Sequence, residues 1–375
     1  MPKHYDVAIA GAGILGLAHA WHLARRGLRV VVLERGARVQ GATIRNFGML
    51  WPIGQAAGEP WAVARRSAEL WLEVLQASRL WHARCGSLHV AYHADEESVL
   101  REFAAAADPA SGCAMLTAHQ ALQRSPGLRA EGLRAALWSP GEVCVDPRQI
   151  GAELWRHLVD AHAVDIEFDC AVTAWERPRV LAGGREWRAE RLLVCPGDDL
   201  QTLFPGALSA AGLLRCKLQM LRAAAPPNRW RLGPMLAAGL TLRHYQAFAA
   251  CPSLPQMVAR FDRDLPEYGR FGIHVMVSQH GTGELTIGDS HEYGDAIAPF
   301  DRPAIDTLVL RYLAGFFSPP LEITARWHGT YVKHPHDEWV VLHPAPGATV
   351  VTGVGGAGMT LSFGLAERVV ATELT

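Results

Sequence analysis

An excess of charge of either sign is missing from this chain. Its 36 Lys and Arg face 37 Asp and Glu, leaving a formal net charge of −1 over 375 residues. No segment carries a basic stripe, so no nucleic-acid partner is expected. No apolar run reaches the roughly 20 residues that cross a bilayer, so no membrane insertion is expected. The seven cysteines (Cys85, Cys113, Cys144, Cys170, Cys195, Cys216 and Cys251) are odd in number, scattered and without a C-x-x-C pair. That argues against a disulfide framework or a cysteine zinc site and suits reduced thiols in the cytoplasm. Short-period repeats and low-complexity linkers are also absent. Apolar residues are plentiful: 49% of the chain is hydrophobic, enough to build two domains or one large composite.

Against that background the glycines at the two ends stand out. Tyr5 to Ala10 reads as an apolar strand, followed by Gly11-Ala-Gly13-Ile14-Leu-Gly16, an apolar helical pattern, and Val30 to Glu34 as a second strand ending in an acid. A lone G-x-G-x-x-G says little, but strand, turn, helix and terminal acid together read as a βαβ unit for a dinucleotide. Gly11 permits the tight turn, Gly13 lets phosphates approach the backbone, and Gly16 lets the helix pack on the strand. The free N–H groups at the helix start favour an anion. Glu34 can accept hydrogen bonds from ribose hydroxyls and would repel a 2′-phosphate; Ile14 and Arg35 complete the set expected here. Lys3, the apolar run and Ala18-His-Ala20 imitate a signal peptide. Asp6 and three glycines interrupt it, and cleavage would destroy the unit, so the reading is rejected.

The second glycine turn lies at the other end, where Ala348 to Thr352 leads into Gly353-Val-Gly-Gly356-Ala-Gly358-Met359-Thr360 and a helix start. The first unit alone allows NAD or FAD. A single cofactor touched by both turns must be long, and its domain must be discontinuous, which favours FAD. Between the two turns, helices are expected over 60–84, from Asp95 to about Ala107, from 148 to about Ala161, and over Ile305–Phe317. Strands are expected over 86–92, 171–175, 179–182, 191–197, 217–222, 243–249, 271–277, 284–287 and 323–331. Asp262, Arg263 and Asp264 read as a solvated loop. His334-Pro-His336-Asp337 has no further ligands at metal spacing, so no metal is expected. The 12 Trp residues read as core.

These residues resemble the FAD-dependent oxidoreductases of the D-amino acid oxidase and sarcosine oxidase type over nearly the whole chain. Gly11, Gly13 and Gly16 with Glu34 resemble the family's adenosine site, and Thr43-x-x-Asn46-x-Gly48-Met49 its loop past the pyrophosphate and flavin. Val172 stands where the family contacts adenine through its backbone, and Cys195-Pro-Gly197 at its Ala-x-Gly turn. Gly353 to Thr360, with Gly356, Gly358 and Met359, resembles its C-terminal flavin motif. The resemblance implies an α/β fold with α+β elements, combining a Rossmann-like FAD-binding domain of glutathione-reductase type with an antiparallel-sheet substrate domain. It implies residues 1–84, 141–215 and 325–375 for the first domain, and 85–140 and 216–324 for the second.

The implied reaction is oxidation of a C–N bond of a small amine, with hydride passing to flavin N5, the imine hydrolysing, and oxygen or another acceptor taking the electrons. No acid–base side chain is strictly needed. An anionic substrate group calls for buried cations. The candidates are Arg45, Lys217, Arg243 and Lys333, with Tyr245, Tyr331, His274, His291 and His328 as polar partners; Lys217 and Tyr331 rank first. Arg45 to Gln55 and Glu142 to Arg148 resemble, more narrowly, a clade proposed to serve phosphonate catabolism, which implies an aminophosphonate related to 2-aminoethylphosphonate. Two positions depart from the sarcosine oxidase pattern. Gly329 stands in place of a flavin-tethering Cys, implying non-covalent FAD, and Thr286 stands in place of an oxygen-activating Lys, leaving a dehydrogenase open. Competing readings are a 2-hydroxy acid dehydrogenase and a non-catalytic or tRNA-modifying FAD-binding protein.

Overall fold

The computed structural model describes residues 3–373. Its first sheet has a parallel core in the order Asp165–Glu167, Val30–Leu33, His4–Ala10, Arg185–Val194, Ala348–Thr352. Parallel strands need long crossovers, and the helix Ile14–Arg25 supplies the first of them. The strands Val30–Leu33 and Ala348–Thr352 are buried at every position, as expected of a sheet covered on both faces. Alternation sorts the first strand between two cores. Val7 and Ile9 pack beneath the helices Ile14–Arg25, Pro147–His162 and Gly358–Glu373, while Ala8 and Ala10 join Leu192, Val194 and Val332 on the other face. Val172–Glu176 and Arg179–Ala182 extend one edge as an antiparallel pair, as the sequence predicted.

The second sheet runs in the order Glu292–Tyr293, Leu214–Ala223, Leu285–Gly288, Met276–Gln279, Met235–Ala238, Ser87–Ala91, Ala135–Ser139, Ala114–Thr117. Its pairs are antiparallel except Met235–Ala238 against Ser87–Ala91. Ile323–Lys333 lies antiparallel along the whole of Leu214–Ala223 and closes that side. A three-stranded patch of Met49–Leu50, Val143–Val145 and His82–Ala83 sits at the junction.

Several predicted elements change. The segment 243–249 is no strand: a short helix, Gly239–His244, passes into a 3₁₀ turn, Gln246–Phe248, burying Leu240, Leu242 and Phe248. The strand expected over 271–277 is displaced to Met276–Gln279. Asp262, Arg263 and Asp264 are exposed, but they end the helix Leu254–Asp264, which is anchored through Met257 and Phe261 one turn apart. The helix expected over 60–84 stops at Ser78, where Arg79 turns left-handed. No helix among the described residues is long and apolar enough to cross a membrane.

Candidate active site

A cleft of about 650 Å³ runs from the first glycine turn, past the C-terminal one, to the second sheet. At its dinucleotide end the wall is mostly backbone. Gly11 has φ +107°, and a Cβ there would lie 2.5 Å from the Cys195 carbonyl oxygen, so only glycine fits. Gly16 does not line the cleft; a Cβ on it would strike the Gly11 oxygen at 1.9 Å, so its task is close helix packing. Gly13 differs from both. A Cβ there meets only Thr43 Oγ1, at an ordinary 3.4 Å. Gly356 and Gly358, also in the wall, likewise leave room for a Cβ against the protein. Protein packing does not demand these three glycines, whereas a group lying in the cleft does. That is the fit expected for a long cofactor.

The helix behind Gly13 starts without an acid in its first turn, and its Ile14 N–H donates to Thr43 Oγ1 at 2.9 Å. Glu34 lines the cleft and is fixed by accepting from the Ala12 and Gly36 N–H groups at 2.8 and 2.9 Å. Arg35 is held by Asp198 and Asp199. In the next loop Asn46 Nδ2 donates to the Ala42 and Thr43 carbonyls, and its Oδ1 accepts the Gly48 N–H at 2.7 Å. Thr43, Asn46, Met49, Val172, Cys195, Gly197, Gly353, Met359 and Thr360 all line the cleft. Gly48, expected there, does not; it is required by φ +71° and by the Val145 oxygen 2.1 Å from a would-be Cβ. Thr360 faces the cleft, but its hydroxyl is engaged by the Trp51 N–H.

At the substrate end the structure corrects the sequence. Lys217 is fully buried but outside the cleft. Its Nζ donates to the carbonyls of Ala298 and Phe300 and pairs with Asp301 at 2.9 Å. Strand alternation explains this: Leu218 and Met220 face the cleft, so Lys217 and Gln219 face the other side. His328, opposite Gln219, shares that side and bonds Asp301 at 2.8 Å. Arg243 is drawn to Asp262 and the Phe261 ring. Thr286 bonds His280 outside the cleft, so no cation stands at that position. Arg45, Tyr245, Tyr331, His274, His291 and Lys333 do line the cleft. Gly329 lines it too, against Arg45.

The sequence missed His244 and Asp289. In a strand, His244 and Tyr245 would point to opposite faces; in the observed helix-to-turn passage both reach the cleft. His244 packs against His274, with centroids 3.9 Å apart and planes tilted by 32°, and against His291 at 4.4 Å and 39°. Burial holds all three imidazoles far below their usual pKa, His291 down to about 4, so they are neutral at pH 7. Burial pushes the Asp289 carboxyl up. Asp289 Oδ1 lies 3.1 Å from His274 Nε2 but off hydrogen-bond geometry, and His274 Nδ1 also has no partner. His334 pairs with Asp337 within a turn and joins no group of three metal ligands among the described residues.

A parallel sheet with a glycine-turn cleft at its strand ends is a nucleotide-binding arrangement. The chain belongs to the DAO family of FAD dependent oxidoreductases, whose model matches residues 6–372. FAD is therefore its cofactor, and the resemblance seen in the sequence holds. It is 42% identical over 59 residues to hydrogen cyanide synthase subunit HcnC of Pseudomonas aeruginosa, a match covering 16% of this chain and 14% of that protein. It is 44% identical over 50 residues to glycine oxidase of Geobacillus kaustophilus, 13% of each. The chain thus matches about one seventh of these curated relatives. Solved structures share the fold along the whole length. Glycine oxidase from Bacillus cereus has TM-score 0.77 at 17% identity, covering 99% of this chain and 97% of that one. Iminodiacetate oxidase from Chelativorans has TM-score 0.72 at 20% identity, covering 97% and 94%.

Proposed function

We propose that this protein oxidises a C–N bond of a small amine that carries an anionic group, an aminophosphonate related to 2-aminoethylphosphonate or a small amino acid. The observation that carries the reading is the pocket beside the C-terminal glycine turn. There His244, His274, His291, Tyr331 and Lys333 converge at the end of a cleft shaped for a long cofactor. The glycine oxidase and iminodiacetate oxidase folds support an amine as the reacting group.

Bound FAD would supply the hydride acceptor and the route of the electrons to oxygen or another acceptor. We assign Gly13, the start of the helix Ile14–Arg25 and Glu34 to its adenosine and pyrophosphate, and Gly353 to Thr360 to its flavin end. The helix Gly358–Glu373 opens onto the cleft without an acid in its first turn, so its positive end favours negative charge building there. Apolar walls at Leu218, Met220 and Met276 limit water around the reacting carbon. With Gly329 where a tethering thiol is expected, FAD is held without a covalent bond; acid precipitation should release all the yellow colour, and colour kept in the pellet would refute this.

The test is anaerobic flavin bleaching with N-methylated and 1-hydroxylated 2-aminoethylphosphonates, sarcosine, glycine, D-amino acids and 2-hydroxy acids. Bleaching by amines and not by hydroxy acids is expected. Faster bleaching by an amino acid than by every phosphonate would remove the aminophosphonate. Bleaching by hydroxy acids alone would remove the amine.

A further inference from the structure

We infer that His244, His274 and His291 form a receptor for a tetrahedral oxyanion, a phosphonate or phosphate monoester, borne by the substrate. The inference rests on the reading above only for what the rest of the substrate is. The three residues come from separate segments and meet in the cleft wall, with ligand atoms all within 4.8 Å of one another. Such a set invites a metal. The ring planes argue otherwise, being 16°, 32° and 39° from parallel at centroid distances of 5.1, 3.9 and 4.4 Å. The nitrogens act in the plane of their rings. Rings that lie this close with planes only 16° to 39° from parallel are poorly placed to aim all three nitrogens at one ion about 2.0 Å from each. They can each offer a donor to a different oxygen of one tetrahedral anion.

The partners at the site fit an anion. His291 Nδ1 faces the Gly272 carbonyl oxygen at 3.0 Å and donates to it, which leaves Nε2 as a lone pair in the neutral ring. Among the described residues His244 has no hydrogen-bond partner, and His274 Nδ1 is buried without one. Lys333 lines the cleft, has no carboxylate partner among the described residues, and lies close enough to act on His244 and His291. Carboxylates are usually gripped by an arginine fork. Here Arg243 is turned to Asp262, and Arg45 reaches the His328 carbonyl. Separate single donors suit three oxygens pointing in separate directions.

For His291 to donate to an anion, its Nε2 must gain a proton, so binding draws protons into the cluster. The titratable groups facing it are Asp289, Tyr245, Tyr293, Tyr331, Lys333 and, from behind, Arg243. Burial raises Asp289 and the tyrosines, so Asp289 beside His274 is a proton acceptor of the cluster as well as the imidazoles, and the uptake belongs to the cluster as a whole.

The test uses the FAD-loaded protein and three probes without an amine: ethylphosphonate, ethyl phosphate and propionate. Binding is followed by the flavin spectrum and by calorimetry in phosphate-free buffers of different ionisation heat. We expect one of the two phosphorus anions to bind at least about tenfold more tightly than propionate, with net proton uptake. His244→Gln and His291→Gln should each weaken it by about 10- to 100-fold, leaving propionate affinity and FAD content unchanged. If His291→Gln loses FAD, His244→Gln, whose ring has no hydrogen-bond partner among the described residues, carries the test. Preference between the two probes assigns the C–P or the ester anion. Propionate binding as tightly, unaltered phosphonate affinity in the variants, or a tightly bound zinc whose removal abolishes anion binding would each overturn the inference. Bleaching by amines without phosphonate binding would leave the amine reading and remove this one; phosphonate binding without bleaching by any amine would do the reverse.

Discussion

The two ends of the cleft are built from different materials. The end at the first glycine turn is backbone: Gly11, Gly13 and the helix start, with one carboxylate, Glu34, anchored on two N–H groups. The end at the second sheet is side chains, with His244, His274, Asp289, His291, Tyr331 and Lys333 arriving from several segments. A backbone site needs a particular chain conformation, and that conformation needs particular residues close together in sequence. A side-chain site needs only that distant residues meet, and it leaves no spacing behind.

That contrast can be broken most strongly at the glycines. Gly16→Ala places a methyl 1.9 Å from the Gly11 oxygen. A loss of about 3 kcal/mol or more is expected, with little FAD-loaded protein recovered. Gly13→Ala should leave the melting temperature of the FAD-free protein unchanged while weakening FAD at least about tenfold. If both variants fail alike, Gly13 is structural and the division within the motif is wrong.

Acid comes next. Burial holds His19 at about 4 in the first half of the molecule, and His280 at about 4 and His89 at about 3 in the second. The folded state refuses protons that the unfolded chain takes below about pH 6.5, so stability is full above that pH and falls as pH drops towards 4. Each such histidine costs on the order of 3 kcal/mol across that window. Melting temperatures from pH 7 to 4 check this, and a flat profile would contradict the burial.

Lys217 sharpens the contrast from the other side. Lys217→Met strips a buried ion pair and two carbonyl contacts, at about 1–3 kcal/mol. Because it lies outside the cleft, substrate KM should not move; a raised KM with unchanged melting would return Lys217 to the site. The smallest effect belongs to His328→Asn. It loses a partly exposed contact to Asp301, within about 0.5 kcal/mol, and KM is again unchanged.

How far the sequence could be read follows the same division. Gly11 to Glu34 and Gly353 to Thr360 were legible because each motif is local. Gly16 was read as a packing glycine and packs against Gly11, whereas Gly48 was expected beside the cofactor and is required by its packing against Val145. Lys217 misled because the strand Leu214–Ala223 was recognised without its facing, and a shift of one residue exchanges cleft for exterior. His244 was hidden because 243–249 alternates like a strand and folds as a helix end.

By itself, then, the sequence determined the nucleotide turns, the long cofactor and the α/β class, since glycine conformations and strand periods are written in neighbouring residues. Only the tertiary structure decided which of the histidines face the cleft and which of the cations do not. His244, His274 and His291 meet because the helix Gly239–His244 and the strands around Met276 and Leu285 pack against one another. Lys217 is excluded because the loop carrying Ala298, Phe300 and Asp301 claims its charge.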